Sequence, residues 1–368
     1  MSRQRTKSAN RTMDPTSSSA SGPAVPQAGE ATPLVAKTHK LLTYDELEDW
    51  RKDNHYIRTA YRQTLKSYHA CFLSIFGVHN ETTNIASAAT LPHSIERPHS
   101  WGRARVHLNL IQSCTPLGKQ WTHLVGAIVA IGSLLYLVAS ITPDERARHR
   151  QGWFAPVAGI PYPFPSPAQP SVTWIDSFGF SASFHALCCH SKEVAHRWNN
   201  FDYVGIVVLI SGTFVPVVRY GFFCDPHLRH LYITLIYTAA SFTAYTVLAP
   251  HAKTPEFRRF RAWVFIALGA SAVFPVGHAI LRYGFEGASN GISLPWLALG
   301  GALYIIGAVL YAERCPERFL PGRFDLVGSS HQIFHVLILL AALSHWVAIS
   351  EGFRYWHGER NGGCPVHS

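Results

Sequence analysis

The feature that most constrains this chain is a series of long apolar runs. Residues 124–141 are uncharged over 18 positions, and comparable runs occupy 172–190, 203–223, 231–250, 262–281, 293–311 and 331–350. Each is close to the ~20 residues a helix needs to cross ~30 Å of hydrocarbon. A helix satisfies every backbone polar group within its own segment, which lipid requires. The fold class this predicts is an all-α membrane protein, a seven-transmembrane helix bundle spanning 121–350. The second run is the weakest, with Asp176 inside it and six prolines between Pro156 and Pro170 upstream. Its helix is expected to start late, near Val172.

A mean hydropathy of +0.06 looks mild for such a protein. It averages two unlike parts. Residues 1–40 are a Ser-, Pro-, Ala- and Gly-rich tail without the apolar content to order itself, and without the apolar core of a signal peptide. Residues 41–85 carry Tyr56, Ile57, Tyr61, Leu65, Tyr68, Cys71, Phe72 and Ile75 at helical spacing. This predicts one or two helices, either lying on the cytosolic membrane face or packed on the protein itself. Residues 86–120 show no period and read as a loop, and 351–368 form a short tail. Charged residues make up 15% of the chain, against about 25% in soluble domains, which excludes a coiled coil or a wholly disordered chain. The 7 cysteines form no C-x-x-C pair, so they read as mostly reduced thiols rather than a disulfide framework.

Lys and Arg in short loops set orientation. Lys192 and Arg197 follow the second run, Lys253, Arg258, Arg259 and Arg261 the fourth, and Arg314, Arg318 and Arg323 the sixth. Arg146, Arg148 and Arg150 dissent. The balance places the N-terminus in the cytosol and the C-terminus outside, and explains the net charge of +10 as topology rather than affinity for nucleic acid.

With that orientation, Ser181, His185, Asp202, His331 and His335 fall in one layer at the cytosolic end. His331 and His335, at i and i+4, share a helix face and can reach one metal ion, with His185 completing a three-His site that leaves a fourth position for water. Such a site turns water into a nucleophile near neutrality. Asp202 would orient or deprotonate that water, with Ser181 as a nearby hydrogen-bond donor. The competing reading is that these histidines hydrogen-bond across helices, the role expected for His278 and His345. Polar groups confined to one end of the bundle disfavour a transport pathway.

The segments SIFGVHNETTN, SFGFSASFHALCCHS, NNFDYVGI, SGTFVP and AERCPERFLPGRFDLVGSSHQIFHVLILLAALSH resemble the progestin and adipoQ receptor family, also called haemolysin-III-related. The likeness is strongest to its adiponectin-receptor branch and fungal members. The resemblance implies a seven-helix bundle with a cytosolic N-terminus. It also implies Zn2+ on His185, His331 and His335, with Ser181 and Asp202 as partners. The family's first motif, E-x-x-N-x-x-T-H-x-x-G, is interrupted here: Glu81 and Asn84 are separated from Thr122, His123 and Gly126 by the 35 residues 86–120. This segment reads as a lineage insertion or a translated intron, Gln120 being encodable by a CAG codon at an intron's 3′ end.

Two functions follow as expectations. One is a receptor-like regulator of lipid and zinc metabolism, answering an extracellular ligand or a lipid. The other is a zinc-dependent lipid amide hydrolase, ceramidase-like, with a membrane lipid such as ceramide or a fatty acid as partner. A non-catalytic receptor with structural zinc, and least of all a zinc transporter, are the alternatives. A multi-pass protein of the plasma membrane or an endomembrane fits either expectation.

Overall fold

The computed structural model describes residues 40–81 and 169–364. The run at 124–141, the interrupted motif beyond Glu81, the segment 86–120 and the prolines from Pro156 to Pro167 lie outside the described residues.

Apolar runs become helices wherever they are described. They are α2 (Gln169–Leu187), α3 (Lys192–Gly221), α4 (Pro226–Leu248), α5 (Arg258–Ala270), α6 (Val273–Ile292), α7 (Leu294–Glu313) and α8 (Ser330–Arg354), preceded by the short α1 (Tyr68–Ser74). Local chemistry sets their ends. The Ser191 hydroxyl accepts from Val194 N at the start of α3, satisfying one of the first-turn donors left without a helical partner. α8 opens with a capping box in which Ser329 and Gln332 serve each other's backbone. Ser293 (φ 48°) and Arg314 (φ 51°), both left-handed, bracket α7. α5 and α6 form one rod over Pro255–Ile292, where the sequence shows a single shorter run, and Gly284 (φ 76°) kinks it.

Among the described residues, five segments are long and apolar enough to cross a membrane: Lys192–Gly221, Pro226–Leu248, Pro255–Ile292, Leu294–Glu313 and Ser330–Glu359. Their outer faces stay apolar, with Leu281, Phe274, Tyr245 and Phe242 all at least 70% exposed, a surface suited to lipid. Where lipid removes the hydrophobic drive between helices, close packing replaces it. α2 lies along α3, and α7 along α8. Gly307 admits Phe334 and Leu337 of α8, and Gly300 admits His345.

The stretch before the bundle departs from expectation. Residues 40–81 hold a single turn at Asp49–Arg51, α1, and an isolated antiparallel pairing of Leu42 with Tyr61, rather than one or two long amphipathic helices. The apolar positions close a small core of Leu47, Ile57 and Tyr61. The stretch packs on the protein itself, for Leu65 N and Lys66 N donate to Cys189 O and His190 O. This pad lies against the end of the bundle where α2 finishes and α8 begins.

A second departure concerns the thiols. Cys224, after α3, and Cys364, after α8, are joined by a disulfide, while Cys71, Cys188, Cys189 and Cys315 are free. The pairing spans 140 residues and has no local motif to betray it.

Candidate metal centre

α2 ends two residues after His185, and α8 begins one residue before His331. The pairing of α2 with α3 and the closeness of α8 bring the three histidines together. Their ring centroids lie 5.0 Å (His185–His331), 5.0 Å (His185–His335) and 4.6 Å (His331–His335) apart. One nitrogen from each falls within 4.8 Å of the others.

Burial gives this cluster meaning. His185 is 1% and His335 2% exposed. The His185 Nδ1 lies 2.8 Å from Glu81 Oε2, so it donates to the carboxylate. That leaves Nε2 as the atom carrying the lone pair, and Nε2 is buried with no hydrogen-bond partner among the described residues. A buried acceptor without a partner is costly. A metal ion resolves the cost, because carboxylate, imidazole and metal in line is the usual outer-shell arrangement of a histidine ligand. Three neutral nitrogen donors suit a borderline transition-metal ion, zinc, copper, iron and nickel among them. The residues therefore fit a metal ion.

Glu81 is itself held. Its backbone N–H donates to His79 Nδ1 at 3.1 Å, which requires His79 to be neutral. Burial, with Arg62 nearby, pushes the His79 pKa down to about 3. Sequence reading quoted Glu81 only as part of a motif and gave it no role. Lying 104 residues from His185, it could not be paired with it by spacing.

Ser181 lies one turn before His185 on α2, and Asp202 lies well inside α3, ten residues past Lys192. The Ser181 hydroxyl faces the Asp202 carboxylate, and His185 lies within electrostatic range of that carboxylate. With His331, His335 and Tyr311, Ser181 and Asp202 line a cavity of about 710 Å³ whose wall is mostly apolar, with Phe214, Ile280 and Leu297 among its side chains. On the other side of His331 lies a smaller cavity of about 120 Å³, lined by Asp53, Asn54, Glu81, Arg314 and Ser330. His331 and Tyr311 line both. Of the histidines set apart as interhelical bonders, His278 meets Tyr232 Oη at 2.9 Å. His345 does not fit that role: neither ring nitrogen has a hydrogen-bond partner among the described residues, and the ring packs on Gly300.

A bundle of long apolar helices with a three-histidine cluster at one end, two of its rings buried and the third half-buried, defines a polytopic α-helical membrane protein with a candidate metal centre. The sequence profile described as "Haemolysin-III related" matches residues 111–346, and the chain belongs to that family. It is 34% identical to "Adiponectin receptor protein" of Drosophila melanogaster over 86% of this chain and 60% of that one. It is 32% identical to "Heptahelical transmembrane protein 1" of Arabidopsis thaliana, covering 85% and 81%, and 29% identical to "ADIPOR-like receptor IZH2" of Saccharomyces cerevisiae, covering 88% of each. The chain thus spans about 60% of the fly relative's length. It is an integral membrane protein of the adiponectin-receptor-like, progestin and adipoQ receptor group.

Proposed function

We propose that this protein is a receptor-like regulator of lipid and zinc metabolism that acts by zinc-dependent hydrolysis of a lipid amide, with ceramide as the substrate class and a fatty acid as one product. The observation that carries this reading is the position of His331, between a large apolar cavity and a small polar one. An acyl chain fits the first and water the second, so the histidine cluster stands where the two reactants meet.

His185, His331 and His335 would hold Zn2+. When bound, the ion supplies Lewis acidity toward a carbonyl and lowers the pKa of water at its open position. The chain's own residues do the rest. Glu81 fixes the His185 tautomer and ring. Asp202, whose carboxylate is oriented by the Ser181 hydroxyl, accepts the proton of the attacking water and returns it to the departing amine nitrogen as the amide C–N bond breaks. The apolar wall orients the acyl chain and excludes bulk water. The described cluster has three protein ligands, whereas a structural zinc site is closed by four, which favours catalysis over a purely structural ion.

The bundle in this reading has seven spans, 124–141 supplying the first, with the N-terminus cytosolic and the C-terminus outside. The disulfide supports the orientation. Stable disulfides form in oxidising compartments, and Cys224–Cys364 follows the far ends of α3 and α8, opposite the histidines. An extracellular ligand would act from that side, at the plasma membrane or an endomembrane.

The test is release of sphingoid base from ceramide by the purified protein in lipid nanodiscs. Wild type should release it and a double variant, His331→Ala with His335→Ala, should not. Equal release by both would overturn hydrolysis at this site.

A further inference from the structure

Arg62 belongs to the pad, not to the bundle, yet it is only 4% exposed. Its guanidinium reaches 123 residues along the sequence to donate to His185 O at 2.5 Å, and to Ala186 O at 3.1 Å. It also donates to Ser74 Oγ at 2.9 Å and to Cys188 Sγ at 3.3 Å. The two carbonyls belong to the last turn of α2, where main-chain oxygens lack helical partners and where a cation is favoured by the helix dipole. Only a planar fork of donors can serve two adjacent carbonyls and a hydroxyl at once.

This bond network fixes the main chain of the residue whose ring faces His331 and His335. The pad also fixes the ring itself, through Glu81 at Nδ1. On the other side, Asn54 Nδ2 donates to the fully buried Glu317 at 3.1 Å, and Glu317 accepts from Ser330 N at 2.7 Å, one residue before His331. Residues of one short segment therefore grip both helices that carry the histidines. Packing of the pad alone would need no such aim.

We propose that Arg62 is a positioning residue of the metal centre, and that the pad at 40–81 assembles the centre by holding His185 and the start of α8 in register. This rests on the reading that the histidine cluster binds zinc. It adds that binding is coupled to the docking of the pad. Coupling is reciprocal, so zinc must in turn protect the pad.

The experiment uses the full-length protein in nanodiscs, stripped with chelator and reloaded with zinc or cobalt(II). Arg62→Lys keeps the charge but loses the fork. It should weaken zinc 10- to 100-fold, the usual cost of an outer-shell change, and alter the visible spectrum of the cobalt-loaded protein, which reports ligand geometry. Arg62→Ala should do more. In wild type, zinc loading should slow amide exchange over residues 60–66 as well as at the end of α2, a readout that holds even where a variant fails to accumulate. Unchanged zinc affinity and cobalt spectrum in Arg62→Lys, or zinc-independent exchange over 60–66, overturns the positioning role. Wild-type protein that binds neither metal overturns the underlying zinc reading instead.

Discussion

At one end of the bundle lie three clustered imidazoles, with the Glu81 carboxylate on the His185 ring and the Arg62 guanidinium on the His185 main chain. At the other, Cys224 is joined covalently to Cys364, and Phe223 stacks on Trp356, with ring centroids 4.5 Å apart. The Trp356 Nε1–H donates to Tyr220 O at 2.9 Å. Asp225 accepts from Tyr283, and Glu351 from Ser293. The second end is closed by a covalent link and stacked rings, which need no ligand. The first keeps His185 Nε2 buried without a hydrogen-bond partner among the described residues. The difference leads us to expect a separation of stability from function: losing the link should leave the site, and losing the site should leave the fold.

Breaking the comparison begins at the histidine end. His185→Ala should weaken zinc by well over 100-fold, beyond the 10- to 100-fold of outer-shell changes, while circular dichroism stays helical. Competition with a calibrated chelator checks it. Cys224→Ser should do the opposite. Losing the cross-link should cost about 2–4 kcal/mol, read as a lower chemical-denaturation midpoint, with zinc affinity unchanged. An affinity loss there would show the two ends to be coupled.

Smaller effects sharpen the contrast. Gly300→Ala places a methyl group against the His345 ring and Ala341 O, and overpacking of this kind costs about 1–3 kcal/mol. It should loosen α7 from α8 and lower the thermal midpoint of apo and zinc-loaded protein alike. Glu81→Gln keeps size and an acceptor but removes the charge from His185 Nδ1. Zinc should weaken on the order of tenfold, the low end for outer-shell partners, with the apo thermal midpoint unmoved.

Most of the bundle was legible because crossing lipid demands a length and composition that any window reveals. The run at 203–223 overlaps α3 to its end at Gly221 but missed its start at Lys192, because polar residues such as Arg197 and Asn199 continue the helix without raising hydropathy. The run at 262–281 understated the α5–α6 rod, since Gly284 and Glu286 lower hydropathy at a kink beyond which a second helical piece continues to Ile292. His331 and His335 were readable from a four-residue spacing, and His185 by depth. Arg62 and Glu81 were not readable as parts of the site. They reach it from loops 123 and 104 residues away, and no periodicity encodes where a loop folds back. The pad misled for a related reason: its apolar residues close a local core around Tyr61 rather than one face of a long helix.

The measurement that bears most directly on the central claim is metal analysis of the purified full-length protein, run beside the His331→Ala, His335→Ala variant. The structure predicts about one zinc per chain in wild type, as a three-histidine site holds, and loss of it in the variant with helical content intact. Wild-type protein free of zinc after purification without chelator, or a variant that retains it in full, would contradict the account.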